Sequence, residues 1–134
     1  MRDITHSLKP MPALAPAVRT NGAVNGADID LSGFEAATAS VHFGAYTDGT
    51  HTPKLQEADD NGSGAPGTYA DVAAAGLIQA FSAVAAAGGA NTLQEVGYIG
   101  GKRWIRVVMT TSGATSGAGS EASVILGRAR SEPA

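Results

Sequence analysis

The sequence predicts an all-β protein, an antiparallel β-sandwich or a jelly-roll-like barrel with an extended N-terminal arm. Apolar and polar residues alternate in several short segments, and turn-forming residues separate these segments at intervals of roughly 8–12 residues. No long helical pattern alternates with the strands, which argues against a parallel α/β sheet. The chain has 134 residues, 18 glycines and no cysteine. This length suits one domain, and packing rather than disulfide bonds must stabilise it.

The N-terminal residues 1–18 are predicted to form the extended arm, and residues 19–134 a single β domain. Pro10, Pro12 and Pro16 favour an extended path because each proline fixes φ and removes a backbone donor. Apolar side chains are spaced too widely along the arm to fold alone, so the arm either packs on its own domain or adds to a partner. The alternative is a frayed terminus. The candidate contact residues of the arm are Leu8, Met11, Leu14 and Val18.

A first hairpin is predicted within residues 39–59. Alternating residues over 39–45 indicate a half-buried strand, and Asp48-Gly49 is a dipeptide typical of a two-residue turn. The return strand contains Pro53, which cannot donate to a β-ladder, so this strand is expected at a sheet edge or at a bulge. A short strand at 29–31 precedes the hairpin.

A second hairpin is predicted to join 94–98 to 103–111 through a turn at Gly100-Gly101. One face of its return strand carries Ile105, Val107 and Met109, and we expect this face to be buried. The opposite face carries Trp104, Arg106 and Val108. Tryptophan and arginine are enriched at protein interfaces, so Trp104 and Arg106 are candidate contact residues. The alternative is that Trp104 lies under a loop.

The remaining segments are predicted to be short. Alanine favours a helix over 77–87, but glycines bracket an element of either type, and we expect strand or irregular structure there. A last strand is predicted over 121–127, followed by an exposed polar tail at 128–134. The other predicted elements are a brief strand at 69–72 and loops at 59–67 and 112–120.

No sequence pattern indicates catalysis, so we expect a protein that is not an enzyme and has no cofactor or metal. The run at 62–67 matches G-x-G-x-x-G, but two aspartates precede it and a strand follows it, whereas a dinucleotide site needs a helix there. The polar run from Asp59 imitates a calcium loop, but its twelfth position is Ala70 where a glutamate should close the site. No histidine has a distinctive nucleophile or acid near it; the three are His6, His42 and His51.

Charge and hydropathy exclude two classes of partner, nucleic acid and membrane. The formal net charge is -3 and no basic stripe occurs, so nucleic-acid binding is not expected. No run of 18 apolar residues could span a membrane, and prolines interrupt the N-terminal apolar residues that a secretory signal would need.

Two segments resemble sequences that recur in small structural proteins of tailed bacteriophages and prophages. They are GAYTDGTHTPKLQEADD at 44–60 and QEVGYIGGKRWIRV at 94–107. The loop at 113–117 and the residues 128–130 are similar to the same family, and the resemblance extends from about Val18 onward.

This resemblance implies a virion structural protein, and specifically a head-decoration (cement) protein that binds the major capsid protein on the capsid surface after assembly in the bacterial cytoplasm. Copies around a local three-fold axis would form a homotrimer. The arm would pair with an exposed sheet edge of the capsid, so deletion of residues 2–16 would abolish binding and leave the domain folded. The alternatives are a tail or head–tail joining component, or a carbohydrate-binding module.

Overall fold

The computed structural model describes residues 1–131, and these form two antiparallel sheets packed face to face. The predicted all-β sandwich is therefore confirmed. Two short 3-10 helices, at 74–76 and 87–89, are the helical elements of the described residues. The strands are β1 (Leu8–Arg19), β2 (Gly22–Asn25), β3 (Ile29–Asp30), β4 (Phe34–Tyr46), β5 (Thr50–Ala58), β6 (Ala70–Asp71), β7 (Leu77–Ile78), β8 (Leu93–Tyr98), β9 (Trp104–Ser112) and β10 (Ala118–Ala129).

Strands that follow one another along the chain often lie in different sheets. The first sheet has the order β1-β10-β4-β8-β7, and the second sheet has the order β2-β9-β5-β6, with β3 also paired to β9. Every strand pair is antiparallel.

The core lies between the inner faces of the two sheets. The period-2 alternation places every second residue of β4, β9 and β10 inside, and the face of β9 predicted to be buried is buried. Burying such a side chain contributes about 1.5–3 kcal/mol relative to leaving it in water. The residues at the centre of the core are Val41, Phe43, Ile105, Val107, Met109, Val124 and Leu126.

The first predicted hairpin does not form, because β4 belongs to the first sheet and β5 to the second. The turn at Asp48-Gly49 exists, but it carries the chain across the sandwich. The Asp48 carboxylate accepts backbone N–H bonds from the loop before β10, including one of 2.7 Å from Gly117. These bonds lower the pKa of Asp48. The turn therefore joins two sheet ends, where each strand buries its inner face against the other sheet.

The second predicted hairpin is also wrong, because β8 lies in the first sheet and β9 in the second. Residues 99–103 connect the sheets, and the Lys102 N–H donates to Tyr98 Oη at 3.0 Å. Glycines at Gly100 and Gly101 permit a sharp change of direction, and that change serves a sheet-to-sheet connection as well as a hairpin.

The prediction that the strand containing Pro53 lies at a sheet edge or carries a bulge is wrong, because β5 lies between β9 and β6 and its register with β9 is unbroken. The neighbouring residue His51 exchanges backbone hydrogen bonds of 2.8 Å with Val84, on the side of β5 that faces away from β9. Strand alternation puts the nitrogen of Pro53 on this same outer side, where the central ladder needs no donor.

The N-terminal arm is extended, as predicted, and it packs on its own domain. β1 pairs with β10 from Leu8↔Gly127 to Arg19↔Ala118, and two of its residues, Ala13 and Leu14, are buried in the core. Residues 8–19 are therefore the edge strand of the first sheet.

Two boundaries near the C-terminus differ from prediction. β10 begins at Ala118, inside the predicted loop, and continues to Ala129, inside the predicted tail. It extends further because β1 and β4 pair with it on both sides. Arg130 and Ser131 are exposed, as expected for the tail, whereas residues 132–134 lie outside the described residues. Within 77–87 only Leu77–Ile78 is a strand, so the expectation of strand or irregular structure is confirmed.

Candidate binding surfaces

Trp104 lies on the outer face of the second sheet, where the loop after β5 covers it. Its exposure is 9%, and Nε1 donates to Asp60 at 3.3 Å. The Arg103 guanidinium lies 5.3 Å from the centroid of the Trp104 ring and forms two 3.0 Å bonds with Asp30. These bonds to Arg103 lower the pKa of Asp30 to about 2. The alternative that Trp104 lies under a loop is therefore the one observed.

Arg106 is matched by side chains of its own domain. Its guanidinium stacks over Tyr69, 4.1 Å from the ring centroid, and its Nε donates to Gln56 at 2.9 Å. Tyr69 Oη donates to Asp28 at 2.8 Å, and burial together with Asp28 raises the pKa of Tyr69. Gln56 in turn donates to Asp71 at 2.8 Å.

The outer face of the second sheet is therefore paired internally. A partner that covered it would have to desolvate these polar groups without supplying better acceptors or donors. The two contact residues predicted on β9, Trp104 and Arg106, stabilise the domain itself in this arrangement.

The outer face of the first sheet differs in chemistry. Register aligns one outward residue from each of its five strands in a single row, which we call the neutral row: Pro10, Ile125, Thr38, Gly97 and Ile78. Ile78 is 54% exposed and packs over Gly97, where a Cβ would lie 3.2 Å from that of Ile78. None of these five residues is charged.

The rows beside the neutral row contain few charges. Ser123 and Ser40 pair across the sheet next to Glu95, and beyond them His42 lies 3.8 Å from Glu121. The side chains of this face are mostly uncharged, so a partner can cover it at a low desolvation cost.

The four contact residues predicted on β1 have different environments. Leu14 is 5% exposed and lies in the core, where a partner of the folded domain does not reach it. Met11 is half-buried against the same core, and Leu8 is half-buried at the start of the strand. Val18 is 68% exposed. The structure does not bring these residues together with Trp104 and Arg106, because β1 and β9 lie in different sheets.

The sequence interpretation missed a groove between β1 and β2. It has a volume of about 390 Å³ and is lined mainly by small and apolar residues of the two strands. Arg19 also lines it, and burial lowers the pKa of its guanidinium. Nothing in the four residues Gly22–Asn25 signals a strand, so this groove had no recognisable sequence signature.

An open cleft of about 760 Å³ lies at one end of the sandwich. Phe34 and Ile99 contribute apolar surface, and Arg128 and Arg130 lie at its rim. Arg130 is 3.9 Å from Glu35, and both side chains are exposed to solvent.

The seven aromatic side chains provide no platform for stacking sugars. All lie within the described residues, and each is buried or half-buried: Phe34, Phe43, Tyr46, Tyr69, Phe81, Tyr98 and Trp104. A carbohydrate module would need several exposed rings on one surface, which this arrangement does not offer.

Residues 1–131 contain no group of three or more histidine, aspartate or glutamate side chains placed to hold a metal ion. Within the same residues, no helix is long and apolar enough to cross a membrane. Comparison of the chain with protein-family models, curated proteins and solved structures finds no match.

Proposed function

We propose that this protein is a virion structural protein that decorates the head of a tailed bacteriophage by binding its major capsid protein. The sequence resemblance over 44–60 and 94–107 supports this proposal. A decoration protein needs contact area and no reacting groups, because a molecule that binds only the assembled shell stabilises it by mass action.

The observation that carries the proposal is the contrast between the two outer faces. The second sheet pairs its charged groups internally, whereas the first sheet presents the neutral row across all five strands. Its low charge makes the outer face of the first sheet suitable for an extensive protein contact. We place the neutral row against the capsid, and we propose that three copies surround each local three-fold axis.

In this proposal the N-terminal arm does not pair with a sheet edge of the capsid protein, contrary to the expectation from the sequence. β10 already occupies one backbone edge of β1, and prolines interrupt the other edge at Pro10, Pro12 and Pro16. Strand addition through the arm would require β1 to leave its own sheet. Deletion of residues 2–16 would also remove Ala13 and Leu14 from the core, so it would unfold the domain rather than test binding.

The proposal is tested by cosedimentation with undecorated shells assembled from the major capsid protein of the same virion. We expect saturable binding, and we expect Ile78→Glu to weaken it about tenfold or more because the new carboxylate would be desolvated. Thr110→Glu is the matched control, because Thr110 is an exposed residue on the outer face of the second sheet.

An image reconstruction of the intact particle then locates the protein. Density at scattered shell sites supports decoration, whereas a ring at the neck or tail supports the joining alternative. Absence of shell binding by the unmodified protein, or absence of the protein from mature particles, overturns the proposal.

A further inference from the structure

Most of the edge strands are protected from pairing with another strand. The edge strands are β1 and β7 in the first sheet and β2, β3 and β6 in the second. β3, β6 and β7 are two residues long, and β1 carries three prolines. Short strands and edge prolines are the usual means of preventing strand addition. β2 has neither, since Gly22–Asn25 is four residues long, contains no proline or charge, and is exposed throughout.

The backbone of β2 presents free groups at its outer edge. The Gly26 N–H donates to Val107 of β9 at 2.7 Å, so strand alternation directs residues 22 and 24 towards β9 as well. Ala23 and Asn25 then direct their N–H and C=O groups away from β9. The next residue in this alternation, Ala27, confirms the direction because its N–H donates to Ala13 of β1 at 2.8 Å.

The groove beside this edge contains a cation without a matching anion. The Arg19 guanidinium donates to the Ala15 carbonyl, but its Nε is buried and has no hydrogen-bond partner. Arg19 makes no ion pair with any carboxylate of residues 1–131. The surrounding surface is apolar, with Pro12, Leu14 and Val24 among its residues. A carboxylate placed here would gain a charge-assisted hydrogen bond.

We infer that this groove binds an extended segment of a partner protein, which adds to β2 as a strand and places a carboxylate side chain against Arg19. Main-chain bonds to Ala23 and Asn25 would supply affinity, and the acidic side chain would supply specificity. A second copy of this chain fits less well. Pairing of β2 with β2 would leave each Arg19 without a carboxylate, because no acidic residue lines the groove.

The test uses a capped peptide of sequence Thr-Val-Glu-Val-Thr and the same peptide with glutamine in place of glutamate. Titration of the isotope-labelled full chain is followed by NMR. We expect saturable shifts of the Ala23 and Asn25 amides and of Arg19 Nε, with binding about tenfold weaker for the glutamine peptide. Shifts confined to other residues, or equal binding of the two peptides, would overturn the inference. Shifts of Ala23 and Asn25 that depend on protein concentration alone would assign the edge to a second copy and overturn it too.

Two variants separate the backbone and charge contributions. Ala23→Pro removes one outward donor and preserves the bonds that Gly22 and Val24 make with β9, so we expect it to lose peptide binding. Arg19→Gln should bind both peptides equally weakly, and it decides the charge contribution even where Ala23→Pro does not fold. Arg2→Glu is the charge control. Arg2 precedes the start of β1, far along the chain from Arg19 at its end, so this variant should leave peptide binding unchanged. Since the assay contains no shell, its failure leaves the decoration proposal standing, and failure of shell binding leaves this inference standing.

Discussion

Substitution of Gly26 is expected to destabilise the sandwich strongly. Gly26 passes between β1 of the first sheet and β9 of the second, where its N–H bonds to Val107 and the following N–H bonds to Ala13. A Cβ at Gly26 would collide with the Ala13 carbonyl oxygen and lie 2.6 Å from that of Val107. Both obstacles are backbone atoms, so no side-chain rotation relieves the overlap.

The magnitude for Gly26→Ala follows from what must move. Forcing a methyl group into a packed site costs about 1–3 kcal/mol. Separating the strands weakens the two bridging hydrogen bonds of 2.7 and 2.8 Å, at about 0.5–1.5 kcal/mol each. We therefore expect Gly26→Ala to lower the free energy of unfolding by about 2–6 kcal/mol. Gly101→Ala is the matched control, because a Cβ there meets no atom within 4 Å, and its effect should stay within about 0.5 kcal/mol.

Urea denaturation followed by tryptophan fluorescence measures both variants. Trp104 is the single tryptophan and lies buried on the second sheet, so its emission reports the loss of that packing. With a urea dependence of about 2 kcal/mol per molar, Gly26→Ala should lower the midpoint by about 1 M or more. Equal midpoints for Gly26→Ala and Gly101→Ala would refute the reasoning, because the two sheets would then tolerate a wider separation at this crossing.

The other predictions concern β1, acid stability and the turn before β5. Leu14→Ala should cost about 2–5 kcal/mol in chemical denaturation because it leaves a cavity in the core, whereas the exposed Val18→Ala should cost less than about 0.5 kcal/mol; similar losses would contradict the burial of Leu14. The pKa of Asp30 is lowered to about 2, so its ionised form stabilises the fold above its unfolded pKa near 3.8 and that stability is lost as the pH falls towards 2. Because about a third of the Asp30 side chain is exposed, the loss should be about 1 kcal/mol, and Asp30→Asn should remove this part of the pH dependence measured by denaturation at pH 2–5. Asp48→Ala should accelerate hydrogen exchange of the Gly117 amide, and unchanged exchange would show that the carboxylate does not hold that loop.

Local periodicity was informative wherever a residue's position depends only on its own strand. The alternation in β9 correctly predicted that Ile105, Val107 and Met109 share a buried face. The proline in β5 predicted an edge strand or a bulge, and neither is observed, because β6 pairs only with Gln56 and Glu57 and leaves the Pro53 nitrogen on an unpaired stretch of the outer side. A buried face is a property of a single strand, whereas an edge position depends on which other strands pair with it.

The pairing of strands could not be predicted in the same way. The residues around Asp48-Gly49 and Gly100-Gly101 indicate a reversal of direction, but a reversal can lead to the neighbouring position in one sheet or across to the other sheet. Inner faces alternate identically in both cases, so the pattern does not distinguish them. Both connections cross the sandwich.

The sequence by itself determined the all-β class, the strand faces and the absence of a recognisable catalytic motif, because these follow from residue type and short-range spacing. Only the tertiary structure decided which surfaces remain available to a partner. It placed Asp60 against Trp104, aligned the neutral row from five separate strands, and left β2 beside Arg19. These juxtapositions join residues that are distant along the chain, and they arise from sheet pairing, which local composition does not specify.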